Sequence, residues 1–101
     1  MNDKELADRV VALGVGSVLD DGITYLLVSD DGGYAFNPVT TFVRDWRVAG
    51  ALMERVDSIY PEKLVDERWQ VQASLDAMPT EWLTNESLPR AIIEACVEAL
   101  T

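Results

Sequence analysis

Arg68-Trp69-Gln70-Val71-Gln72-Ala73-Ser74-Leu75 alternates polar and apolar side chains over eight residues. A period of two is the signature of a β-strand with one wet face and one face that must be covered. Trp69, Val71, Ala73 and Leu75 share the side to be covered. After it, Asp76 to Asn85 reads as a loop, with a short strand at Trp82-Leu83. A helix then starts near Ser87 or Leu88. Pro89 lies in its first turn, where a missing N–H costs nothing. Leu88, Ile92, Ala95 and Ala99 form one apolar line along it, and Ile93, Val97 and Leu100 form a second. So broad an arc predicts a helix that is well buried or meets another chain.

Towards the N-terminus, Tyr60-Pro61 is expected to close a preceding helix capped by Thr40 or Thr41 and running to about Asp57. Phe42, Trp46, Ala49, Met53 and Val56 step by four and three along one side of it. Gly50 inside that helix costs about 1 kcal/mol against alanine, so a close-approaching backbone is expected beside it. Before this helix come short strands. Ser17-Val18-Leu19, Ile23 to Ser29 and Tyr34-Ala35-Phe36 are separated by Asp20-Asp21-Gly22 and Asp30-Asp31-Gly32-Gly33, and Asn37-Pro38 ends the last. Asp-Gly pairs suit the positive φ of tight turns. A first helix spans about Asp3 to Leu13, with Leu6, Val10 and Leu13 as its stripe. Asn2 and Glu5 stand at capping-box spacing, and Gly14 and Gly16 stop it.

The expectation is an α+β fold in the order α-β-β-(β)-α-β-α: one small, mainly antiparallel sheet covered by helices, in a single domain over residues 1–101.

This order resembles the phage α-β-α (ABA) sandwich domain family. The resemblance rests on five stretches: Leu6 to Gly14, Phe36-Asn37-Pro38-Val39-Thr40-Thr41, Asp45-Trp46-Arg47-Val48, Trp69-Gln70-Val71, and Leu88 to Ala95. It departs at Ala35-Phe36-Asn37, where the family is richer in serine. The resemblance implies a small phage or prophage protein made in a bacterial cytoplasm. It brings no activity to any residue.

The chain has no histidine and one cysteine. This removes imidazole acid–base chemistry, histidine-activated nucleophiles, zinc sites and iron–sulfur clusters. Gly14-Val15-Gly16 follows a helix rather than a strand, so it is no dinucleotide loop. Asp20-Asp21 and Asp30-Asp31 lack the ligand spacing of a calcium loop, and the strand between them holds them some 20 Å apart. Cys96 sits among Ile92, Ile93 and Val97, where it reads as a packing side chain. No catalytic, cofactor-binding or metal-binding residue is therefore assigned, and the expectation is a protein without enzymatic activity.

Eighteen acids against eight bases give a net charge of −10, which opposes nucleic acid and anionic membranes. The longest apolar runs are far short of the roughly 20 residues that cross a bilayer. The polar start Met1-Asn2-Asp3-Lys4-Glu5 is no secretory segment, and a lone cysteine suits a reducing cytoplasm. The expected role is that of a phage accessory interaction module that self-associates as a homodimer through sheet edges or the last helix. The alternative is an acidic decoy that occupies a basic host or phage protein. Trp82, Arg44 and Arg47 are the candidate contact residues, the arginines because two cations three residues apart can hold an anion.

Overall fold

The alternation at Trp69–Leu75 folds as the central strand of a sheet in the computed structural model, which describes residues 1–28 and 31–101. The elements are α1 (Asp3–Ala12), β1 (Ser17–Val18), β2 (Thr24–Val28), β3 (Tyr34–Pro38), α2 (Val39–Phe42), α3 (Trp46–Met53), β4 (Ser58–Lys63), β5 (Trp69–Leu75), β6 (Met78–Pro79), β7 (Leu83–Asn85) and α4 (Leu88–Leu100). The class is α+β, with small antiparallel sheets covered by helices.

The strands form two sheets rather than one. β1-β2-β3 is the first. In the second, β5 pairs with β4 along one edge and with β6 and β7 along the other. Every pairing is antiparallel. The second sheet escaped the sequence reading because Tyr60-Pro61 is not a helix stop but the middle of β4. Pro61 is tolerated there because β4 is an edge strand, whose outer side needs no N–H donor. The stretch from Asp76 to Asn85, expected as a loop with a short strand at Trp82-Leu83, contributes β6 and, at Leu83–Asn85, β7. Asp76 and Ala77 both take positive φ, 53° and 65°, and close a two-residue turn between Leu75 and Met78. No Asn-Gly or Asp-Gly pair marks that turn.

The middle helix is two helices. Pro38, not Thr40 or Thr41, precedes α2. The Asp45 carboxylate then accepts the Arg47 N–H at 2.8 Å and starts α3 afresh. The new start rotates the buried side to Val48, Ala49 and Leu52. Trp46, expected in the stripe, is therefore 56% exposed.

α1 begins as its sequence indicates. The Asn2 side chain accepts the Glu5 N–H at 2.8 Å and donates to the Glu5 carboxylate at 3.1 Å. Leu6, Ala7 and Val10 are buried. Tyr25 of β2 stacks on Phe42 of α2, 4.7 Å between ring centres. Its hydroxyl donates to Asp8 of α1 at 2.7 Å, so the buried phenol is satisfied. α4 packs on β5 and also meets α1 and α3. Ile92, Ile93, Ala95, Cys96 and Val97 are all buried within this chain. Its broad apolar arc is thus used internally, which removes that reason for a second chain. One continuous core joins both sheets, with Tyr25 and Leu27 from the first and Val71 and Ala73 from the second.

Two glycines differ in what they do. Gly16 has φ +71°, and a Cβ there would lie 2.9 Å from the Leu26 carbonyl oxygen and 3.0 Å from the Phe42 ring. Gly50 has nothing within 4 Å of its Cβ position, so no backbone approaches it, contrary to expectation. Gly50→Ala should raise stability by about 0.5–1 kcal/mol, the intrinsic helix preference. Gly16→Ala should lower it by about 1–3 kcal/mol through strain and overlap. Thermal melts followed by circular dichroism read both signs.

Candidate interaction surface

In an antiparallel sheet with one covered face, the residues of the other face are ordinarily polar. The second sheet obeys this. Its inward pairs are Ile59 with Ala73 and Pro61 with Val71. Its outward pairs are Ser58 with Ser74, Tyr60 with Gln72 and Glu62 with Gln70. Tyr60 apart, that face is hydrophilic. Gln70 donates to Glu62 at 3.1 Å, and Gln72 donates to the Thr80 carbonyl at 2.9 Å.

The first sheet breaks the rule. Tyr25 and Leu27 point inward and are buried. The outward pairs are Leu26 with Phe36, Val28 with Tyr34 and Thr24 with Pro38. Tyr34 is 69% exposed, Phe36 64% and Val28 60%. These three apolar side chains lie on one face with Leu26, and no part of the described chain covers them. Leu26 and Val28 also line a groove of about 740 Å³, together with Arg47, Gly50 and Ala51 of α3 and Glu54 at its end. The sequence carries the signal in two places. Tyr25-Leu26-Leu27-Val28 is apolar without alternation, as in a strand with two apolar faces. Tyr34 and Phe36 repeat the outward phase on the neighbouring strand.

The three residues singled out in the sequence lie elsewhere. Trp82 is 43% exposed in the connection between β6 and β7 of the second sheet. Arg44 and Arg47 lie at the α2–α3 junction and line a shallow depression with Thr40, Thr41, Asp45 and Trp46. They do not share one anion. Arg47 makes a two-pronged contact with Asp45, at 3.0 and 2.6 Å. The Arg47 side chain is the main reason the Asp45 carboxyl is held below its ordinary value, with burial opposing it. Arg44 donates to Asp3 at 2.8 Å and to the Thr40 carbonyl at 2.9 Å.

Asp3 is the node of a charged network. It receives Arg44 on one oxygen and Arg90 of α4 on the other, the latter at 3.0 Å. Arg90 is only 4% exposed. Its remaining donors reach the Met1 carbonyl at 2.8 Å and the Glu94 carboxylate. A buried guanidinium is tolerable when its donors are matched in this way. Burial by itself would raise the Asp3 carboxyl, but the hydrogen bonds from Arg44 and Arg90 outweigh it and hold it below 3.8.

The carboxylates of the turns serve local structure. Asp21 accepts the N–H groups of Ile23 and Thr24 at 2.9 Å each and the Thr24 hydroxyl at 2.6 Å. Asp31 accepts the Gly33 N–H at 3.0 Å. Ser29 and Asp30 lie outside the described residues. Among the described residues, no group of three or more histidines, cysteines or carboxylates gathers in metal-binding proximity. Nor, among them, is any helix long and apolar enough to cross a membrane. Cys96 is buried, and burial pushes its thiol up to about 12. It is a packing side chain, as its neighbours indicate. Comparison with protein-family models, with curated proteins and with solved structures yields no match to this chain.

The Asp3 network makes acid stability sensitive to one residue. A carboxyl whose folded pKa is depressed adds stability above its unfolded value, here 3.8, and loses that contribution as pH falls below it through the folded value. Asp3→Asn should lower stability near pH 7 by about 1–3 kcal/mol, the worth of lost charge-assisted hydrogen bonds. It should also shrink the fall in melting temperature between neutral pH and about pH 3. An unchanged acid slope in the variant would show that Asp3 is not a contributor.

Proposed function

We propose that this chain is a non-enzymatic phage or prophage accessory module of the bacterial cytoplasm, and that it works by docking through the outward face of its first sheet. The observation that carries the docking reading is the contrast between the two sheets. One sheet presents paired polar residues to water. The other presents Val28, Tyr34 and Phe36 on a single side, beside the half-buried Leu26. Exposed aromatics grouped in this way are the usual anchors of interfaces. The phage assignment is supported by the order and spacing of Leu6 to Gly14, Trp69-Gln70-Val71 and Leu88 to Ala95, which resemble the α-β-α sandwich domain family. A cytoplasmic setting is supported by a fold stabilised without disulfides.

The test is the paired substitution Tyr34→Thr and Phe36→Thr, which keeps β-preference and removes the apolar surface. Because both side chains are exposed, stability should change by no more than about 0.5 kcal/mol. Capture of proteins from a lysate of phage-infected cells should drop at least about tenfold against the wild type, the loss of one or more anchor residues. Equal capture by the two proteins would reject docking at this face. A large drop in melting temperature would reject it too, by showing that these side chains serve the core.

A further inference from the structure

We infer that the occupant of this face is an extended, basic, apolar-patterned segment of another polypeptide, added as a strand along β3. The inference rests on the docking reading above and names the chemistry of the partner. Three observations support it.

The first is the edge. Among the described residues, β3 pairs only with β2. Among the described residues, the backbone of Tyr34–Pro38 makes no hydrogen bond outside that ladder. Exposed edges are normally blunted by charge, proline or shortness. β4 carries Pro61, Glu62 and Lys63, and β1 and β6 are two residues each. Tyr34-Ala35-Phe36-Asn37 of β3 has no charge and no proline before Pro38 at its end. A strand added here would gain main-chain hydrogen bonds, and its alternate side chains would continue the Tyr34 and Phe36 face.

The second is charge. From Val10 to Val43 the sequence contains no lysine or arginine and four aspartates, Asp20, Asp21, Asp30 and Asp31. The whole first sheet lies in this stretch. Elsewhere some carboxylates meet cations of the same chain: Asp3 with Arg44 and Arg90, Asp8 with Lys4, Asp45 with Arg47, and Asp66 with Arg68. No such pair is made by Asp20 or Asp21 among the described residues. The sheet thus offers an apolar middle and an acidic turn at its Thr24–Pro38 end, and Arg47, which lines the adjoining groove, is already paired with Asp45. Complementary charge on the partner speeds encounter and selects basic sequences.

The third observation disfavours a second copy. Each copy brings the same net charge of −10. Pairing of β3 with its twin would bring two chains of that charge into contact. Like charges so placed oppose association.

The experiment uses the intact chain and a short synthetic peptide of alternating lysine and valine, with oligolysine and a glutamate–valine peptide as controls. Calorimetry at low and physiological salt reads affinity, and amide hydrogen exchange reads the edge. The lysine–valine peptide should bind and slow exchange at Ala35 to Asn37. Its affinity should fall severalfold as salt rises. Tyr34→Thr with Phe36→Thr should weaken it at least about tenfold. The glutamate–valine peptide should not bind. Equal binding of oligolysine would overturn the proposal, because charge alone would then suffice. No binding of the lysine–valine peptide would overturn it as well. A concentration-dependent dimer in light scattering, abolished by the same double substitution, would assign the face to a second copy instead. If the peptide fails while lysate capture still depends on Tyr34 and Phe36, the basic-strand inference falls and the docking reading stands. If capture ignores both residues, both fall.

Discussion

The packing of α4 on β5 is the contact from which the rest of the fold follows. Val71 and Ala73 are buried on the strand, and Ile92, Ile93, Ala95 and Cys96 are buried on the helix. Full burial of a valine or isoleucine side chain contributes about 1.5–3 kcal/mol, and this strand and helix supply several of them to the core. β4, β6 and β7 then pair with a strand that is already held, and α1 and α3 pack on a helix that is already placed. Arg90 extends the same helix into electrostatics. From a buried position it holds the first residues of the chain through Asp3 and the Met1 carbonyl.

The first sheet depends on this assembly differently. Its inner face joins the core through Tyr25 and Leu27, and Phe42 stacks on Tyr25. Its outer face is not needed by the core. A small domain has little apolar surface to spare, and the exposed Val28, Tyr34 and Phe36 on this face are what the docking proposal rests on. Arg44 and Arg47, by contrast, are each engaged by a carboxylate of the same chain.

How far the sequence could be read depended on whether the signal was local. The α1 cap, the β5 alternation and Pro89 at the start of α4 are local, and each was legible. The outward apolar phase of β2 and β3 was present in Tyr25-Leu26-Leu27-Val28 and in Tyr34 and Phe36. Yet a continuous apolar run also describes a strand covered on both sides, and only the three-dimensional arrangement distinguishes the two. Trp46 misled because a single helix and two helices restarted at Asp45 have the same composition. What differs is one side chain accepting one N–H.

The sequence by itself determined the class of fold, the order of most elements, the lack of any imidazole or paired thiol, and the acidic balance, because these rest on residue type and short-range spacing. The tertiary structure alone decided that there are two sheets, that the broad arc of α4 is used internally, that Arg44 and Arg47 answer to different carboxylates, and which apolar face stays open to water. The physical reason is the same in each case. Spacing along a chain sets which residues share a side, but what lies against that side is set by elements distant in sequence.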